Sequence, residues 1–280
     1  MMKQRGFTLI EIAIVLVIVA VLLGYTMSML PIQQELKQYR QADQEMEKII
    51  DSLYAFAQAK GYLPCPAWTN NINSASPTET SDGFECRDVN GASGVCKDGV
   101  SPPLPASHTC DVWYGFVPGK TLGLNGNYSA INHLLLDPWG MPYRYQVSNA
   151  NLAIPPGTSF HDFVIVGEMS RVTMTNLAPN LTVCNTATSI SSTDCGITGA
   201  AARTVANKLP AVVLSTGKDG AKVPLGGSVQ NENWNNSATN RVFVKTSYND
   251  SDTAAHYDDR VKWIVPNVLY SKMIDAGHLP

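Results

Sequence analysis

One acid interrupts the most apolar stretch of this chain. Phe7 to Leu30 carry no charge except Glu11. A carboxylate in hydrocarbon costs up to about 2.5–3.5 kcal/mol at the centre of a spanning helix on insertion scales, so it calls for a partner. Cutting the chain after Gly6 would supply one. Phe7 would then carry a new α-ammonium four residues before Glu11, on the same helix face. The six cysteines, Cys65, Cys86, Cys96, Cys110, Cys184 and Cys195, form a second reactive set. There is no CxxC and no histidine at metal-finger spacing, so zinc is not expected. An even count following a membrane segment points to disulfides in an oxidising compartment. Closeness in sequence pairs Cys184 with Cys195; the pairing of the other four stays open.

Signals of an enzyme are thin. GxSxG, HExxH, Walker A and GxGxxG are all missing from the sequence. His108, His133, His161, His256 and His278 are scattered and read as exposed. His161-Asp162 near Ser159 is a sequence neighbourhood rather than a triad. A net charge of −3 and no basic aromatic stripe argue against nucleic acid. Charged residues make up only 15% of the 280, while Gly, Pro, Ser, Thr and Asn abound, which fits a loop-rich secreted domain.

The elements that must hold these residues follow from periodicity. At about 1.5 Å rise per residue, Phe7–Leu30 reaches about 36 Å, enough to cross a bilayer. Lys3 and Arg5 should hold residues 1–6 in the cytoplasm, so that the head faces the periplasm or the outside. An ordinary secretory signal has a shorter apolar core, about 7–15 residues, and a small-x-small cleavage site that Tyr25–Leu30 does not offer. A simple signal anchor leaves Glu11 unexplained. Pro31 should kink the helix or mark its exit from the bilayer. From Ile32 to about Lys60 the pattern is amphipathic, with Leu36, Tyr39, Met46, Ile49, Leu53 and Ala57 on one face and Asp43 interrupting it. Gly61 should cap the helix, and Pro64 and Pro66 stop it.

Residues 62–110 show little periodicity and read as a long loop region pinned by disulfides. Short β-type runs follow at Tyr143–Val147, Asp162–Val166, Ala211–Ser215, Val242–Lys245 and Val261–Val265. Pro266 should open a short helix that ends at Gly277. The fold class is therefore α+β: a long N-terminal helix on an antiparallel sheet, with a disulfide-rich, loop-rich head. The divisions are a leader at 1–6, a membrane or filament-core helix at 7–30, its amphipathic continuation at 31–60, and a globular head at 61–280.

The string RGFTLIEIAIVLVIVAVLL strongly resembles the leader of type IV prepilins and type II secretion pseudopilins. The resemblance implies cleavage after Gly6 by a membrane aspartyl prepilin peptidase and N-methylation of Phe7. Glu11 would set subunit register against a neighbour's N-terminal ammonium. Leu136-Asp137-Pro138-Trp139-Gly140-Met141-Pro142-Tyr143 resembles a segment of the major pseudopilin, with Met141 in place of an asparagine. Its residues read as a turn leading into a strand. GYLPCP at Gly61–Pro66 and the TLGL within Val117–Leu124 are similar to large-headed minor pilin-like proteins of Gram-negative bacteria.

Leu214–Gly220 followed by Asn231–Trp234 weakly resembles the major pseudopilin's calcium loop. By that resemblance Asp219 and Glu232 would supply carboxylates, with neutral oxygens from Asn231 and Asn233, to an ion that takes six to eight oxygens. A hydrogen-bonded turn is the plainer reading, and no other cofactor is expected. Asp258-Asp259 reads as solvated loop carboxylates.

The resulting expectation is a non-enzymatic minor pilin or pseudopilin that assembles into, or primes, a pilus or pseudopilus. Its partners would be other pilin subunits, the prepilin peptidase, the inner-membrane assembly platform and the lipid bilayer. It would begin as a single-pass inner-membrane protein with a periplasmic head. The alternatives are an adhesin-like minor pilin with a ligand-binding head, or a membrane-anchored periplasmic hydrolase.

Overall fold

The computed structural model describes residues 8–68, 82–87, 109–152, 161–196, 203–220, 229–234, 237, 239–249 and 256–280, and within the first helix it leaves aside the side chains of 24–32. The chain divides into two compact units, 1–41 and 42–280. Helix α1 (Leu9–Lys60) is a single element of 52 residues that continues past Pro31 and contributes to both units.

In the first unit the described side chains from Leu9 to Leu23 are exposed, including Leu16 at 63% and Val21 at 67%. The helix here is apolar almost all round, and among the described residues of its own unit nothing covers it. Among the described residues no helix is long and apolar enough to cross a membrane. The expected span, Phe7–Leu30, extends at both ends beyond the described side chains.

The second unit is layered. Strands β1 (Tyr114–Phe116), β2 (Arg144–Val147), β5 (Ala211–Ser215) and β7 (Arg260–Trp263) form one antiparallel sheet in the order β1-β2-β5-β7. Strands β3 (Leu181–Cys184), β4 (Thr204–Leu209) and β6 (Val242–Val244) form a second in the order β4-β3-β6, in which the β3–β6 pair is parallel. Period-two alternation explains why β5 reads as an unbroken apolar run. Ala211 and Val213 face the layer containing Met46, Ile49, Leu53 and Ala57 of α1, whereas Val212 and Leu214 join Leu181, Val183 and Phe243 of the second sheet. With both faces covered, Ala211–Leu214 are all apolar, and the polar Ser215 at the strand end donates its hydroxyl to Asp137. Each fully buried Leu, Ile or Val contributes about 1.5–3 kcal/mol.

Short helices α2 (Glu168–Val172) and α3 (Asn231–Trp234) lie in the connections, and α4 (Pro266–Asp275) closes the chain. Both expected stops hold. Gly61 ends α1 at φ 82°, and Gly277 at φ 75° donates its N–H to the Ile274 carbonyl. Leu269, Tyr270 and Met273 of α4 join the α1 side of the core, and the Val265 N–H donates to the Tyr54 hydroxyl at 2.8 Å.

Asp162–Val166, expected as a strand, is a series of turns. Phe163, Val164 and Ile165 are buried, but the Phe163 carbonyl accepts the Leu63 N–H, and the Val164 carbonyl accepts the Arg87 guanidinium at 2.9 Å. Side-chain composition favoured a strand; the carbonyls went to a loop instead of a ladder. Cys65 is bonded to Cys110 across 45 residues and Cys184 to Cys195 across 11. Cys86 is also disulfide-bonded, while Cys96 lies outside the described residues. A second tie in the loop is the buried Arg87–Glu85 ion pair at 2.9 Å, in which Glu85 also accepts the Cys65 N–H.

Candidate functional site

Two places gather the chemistry that the sequence suggests. At the start of α1, Thr8 and Glu11 form a reciprocal cap. The Thr8 N–H and hydroxyl each donate to Glu11 Oε2 at 2.8 Å, and the Glu11 N–H faces Thr8 Oγ1 at 3.4 Å. The Thr-x-x-Glu spacing carries this geometry, and the acid also lies in the first turn, where the helix dipole favours negative charge. Within the described part of the chain Glu11 thus has only local hydrogen-bond donors around it, with no cation. Gly6 and Phe7, the expected cleavage and methylation positions, lie outside the described residues.

The second place lies in the head, at one end of the β5–β7 pair. Antiparallel pairing sets Ser215 opposite Arg260, so the residues leaving β5 meet those entering β7. Gly217, at φ 67°, turns the chain there; a Cβ at this position would run into the Asp258 carboxylate. Asp258 Oδ2 accepts the N–H groups of Lys218 at 2.7 Å and Asp219 at 3.2 Å, and Gln230 donates its amide to Asp258 Oδ1. His256 Nε2 lies 3.1 Å from Asp219 Oδ2 and 3.8 Å from Asp258 Oδ1. Burial, reinforced by Asp219, pushes the Asp258 carboxyl up to about 7.

Several expectations change here. Asp258 and Asp259 are buried, at 3% and 4% exposure, not solvated. Asp259 accepts the Asn233 amide at 2.7 Å, and burial holds its carboxyl well above the usual range. Asp219 does not meet Glu232 within the described cluster; its companions are His256 and Asp258, while Glu232 accepts the Asn240 amide at 2.9 Å. Asn233 is not a free oxygen donor either. Its amide bridges the Val244 N–H, the Val244 carbonyl and Asp259, which makes it part of the core. Trp234 packs over the buried Arg144 guanidinium at 4.3 Å. Nor is His256 an exposed histidine, its side chain being 18% accessible.

The Asp137 turn is structural in its contacts. Asp137 Oδ1 accepts the N–H groups of Trp139 at 3.0 Å and Met141 at 2.8 Å, and Oδ2 accepts the Ser215 hydroxyl at 2.6 Å. Gly140 supplies the positive φ of 84° that the turn needs. Burial raises the Asp137 carboxyl to about 6. His161 and Asp162 point to different partners. His161 packs on Trp113 at 4.3 Å with Nδ1 facing the Asn149 carbonyl, and Asp162 accepts the Leu152 N–H at 3.0 Å. Ser159 lies outside the described residues.

The sequence reading missed His256 and Asp258 as companions of Asp219. The available signal was an acidic pair directly before one strand and an Asp just after another; knowing that those strands are neighbours would have joined them.

Residues 1–27 match the family model of the prokaryotic N-terminal methylation motif. No curated protein and no solved structure matches the chain.

Proposed function

From the premise that this chain is a type IV pilin-like protein, as its methylation motif indicates, we propose that it is a minor pilin or pseudopilin subunit. In this reading the chain is cut between Gly6 and Phe7, methylated on Phe7, and drawn from the inner membrane into a pilus or pseudopilus, or primes one. The observation that carries the reading is the first part of α1. Its apolar side chains from Leu9 to Leu23 are exposed, and its one acid, Glu11, has only the Thr8 N–H and hydroxyl as described donors.

Such a helix is incomplete alone. Bundled with copies of itself or with related helices, it buries the Leu, Ile and Val side chains. A carboxylate carried into that bundle without a counter-charge costs several kcal/mol. The methylated Phe7 amine of an adjacent subunit stays protonatable and removes much of that cost. Register is then set by the position at which acid and ammonium meet. Before assembly the same helix rests in the bilayer, the head lies on the periplasmic side, and the prepilin peptidase and the assembly platform act on it there.

Mass spectrometry of filaments from the source cells tests the reading directly. The expected N-terminal peptide begins at a methylated Phe7. A functional protein that retains residues 1–6 would rule the proposal out. In parallel, Glu11→Ala should lower incorporation into filaments by an order of magnitude or more while leaving the melting temperature of the head unchanged.

A further inference from the structure

We propose that Asp219, His256 and Asp258 form a three-ligand site for a divalent transition-metal cation of the zinc type, not for calcium. Their ligand atoms all lie within 4.8 Å of one another. Zinc bound at about 2.0–2.2 Å by nitrogen and oxygen places its ligand atoms about 3.3–3.6 Å apart along a tetrahedral edge. The observed separations from His256 Nε2, 3.1 Å to Asp219 Oδ2 and 3.8 Å to Asp258 Oδ1, fall on either side of that spacing.

An independent observation concerns the imidazole. His256 Nε2 is shut off from solvent, and although Asp219 Oδ2 lies at ion-pair distance, 3.1 Å, and Asp258 Oδ1 at 3.8 Å, neither carboxylate meets it in hydrogen-bond geometry. A buried nitrogen in that state is poorly served by the protein alone, and a cation between the three groups would satisfy it. Calcium takes six to eight oxygens and gains little from imidazole, whereas zinc favours it.

The surrounding contacts hold the carboxylates as an outer shell should. Two backbone N–H groups fix Asp258 Oδ2, and Gln230 donates to Asp258 Oδ1 and, at 3.4 Å, to Asp219 Oδ1. The ligands come from the end of β5 and the approach to β7, so the metal would clamp the two ends of a core strand pair. Three protein ligands leave a fourth position for water or for a group from another molecule.

The test uses the full-length protein without an affinity tag, in detergent and stripped of metal by a chelator. Titration calorimetry with zinc chloride should show one ion per chain. Calcium chloride should bind more weakly or not at all. His256→Ala and Asp219→Asn should each weaken zinc binding at least tenfold, while His133→Ala, at an exposed histidine, should not. Cobalt(II) added to the unaltered protein should give the visible absorption of a tetrahedral centre, a readout that does not depend on how any variant folds. The inference is overturned if the unaltered protein binds no zinc, if it binds calcium more tightly than zinc, or if His256→Ala binds zinc as well as the parent.

Discussion

The first part of α1 and the head handle their side chains in opposite ways. From Leu9 to Leu23 the helix displays large aliphatic groups and gives its single acid a local cap. In the head, by contrast, Arg144, Asp137, Asp258, Asp259 and Asn233 are buried, and each is wrapped by named groups of the same unit. One region leaves its apolar side chains uncovered, and the other sets its buried polar side chains against groups of its own unit. Stability and assembly should therefore be separable properties, with substitutions in the head changing melting and those early in α1 changing association.

The largest effect should come from a matched pair of leucines. Leu53→Ala, at a fully buried α1 position, should destabilise the head by about 2–5 kcal/mol in denaturant titrations. Leu16→Ala, at a 63% exposed position, should leave that transition within about 0.5 kcal/mol and act only on assembly. Equal effects on unfolding would break the comparison.

Next comes the crosslink. Replacing Cys65 and Cys110 with serine frees a 45-residue separation and should cost about 2–4 kcal/mol, read as a lower denaturation midpoint. No matching change should appear in any property of the first unit.

The smallest effect is one of pH. Asp137 rises from 3.8 to about 6 on folding because it is buried, close to Glu45. A carboxyl raised in the folded state binds its proton more tightly there than in the unfolded chain. Its stabilising contribution is therefore full below about pH 4 and is lost as pH climbs through 6. Between pH 5 and pH 8 the head should lose on the order of 1–2 kcal/mol from this group. Asp137→Asn keeps an oxygen for the Trp139 and Met141 N–H groups and should make that slope shallower, leaving the share that Asp258 carries nearer pH 7. A slope unchanged in the variant would place the titration elsewhere.

How much of this was legible in the sequence depended on where each signal resides. The end of α1 at Gly61, the short α4 between Pro266 and Gly277, and the central strand Ala211–Ser215 each carry their cue locally. Strands β1, β3 and β4 do not. Tyr114-Gly115-Phe116 is too short to show alternation, and Thr204–Leu209 alternates over a largely exposed surface. The run Asp162–Val166 has the composition of a strand without a strand's hydrogen bonds. In the site, Glu11 was evident because one charge in an apolar run stands out. Asp219 came into view only through the resemblance of its loop to a calcium-binding one. Its companions depended on which strands neighbour each other, and no local pattern encodes that.

The passage from β4 to β5 carries a consequence of its own. Leu209 pairs with Leu181 in one sheet, Ala211 pairs with Val147 in the other, and Pro210 alone separates them. With no slack at that junction, neither layer can peel away and leave its neighbour intact. Amide protons of Val183 and Val213 should therefore exchange with solvent in the same event, so that the head opens completely or not at all.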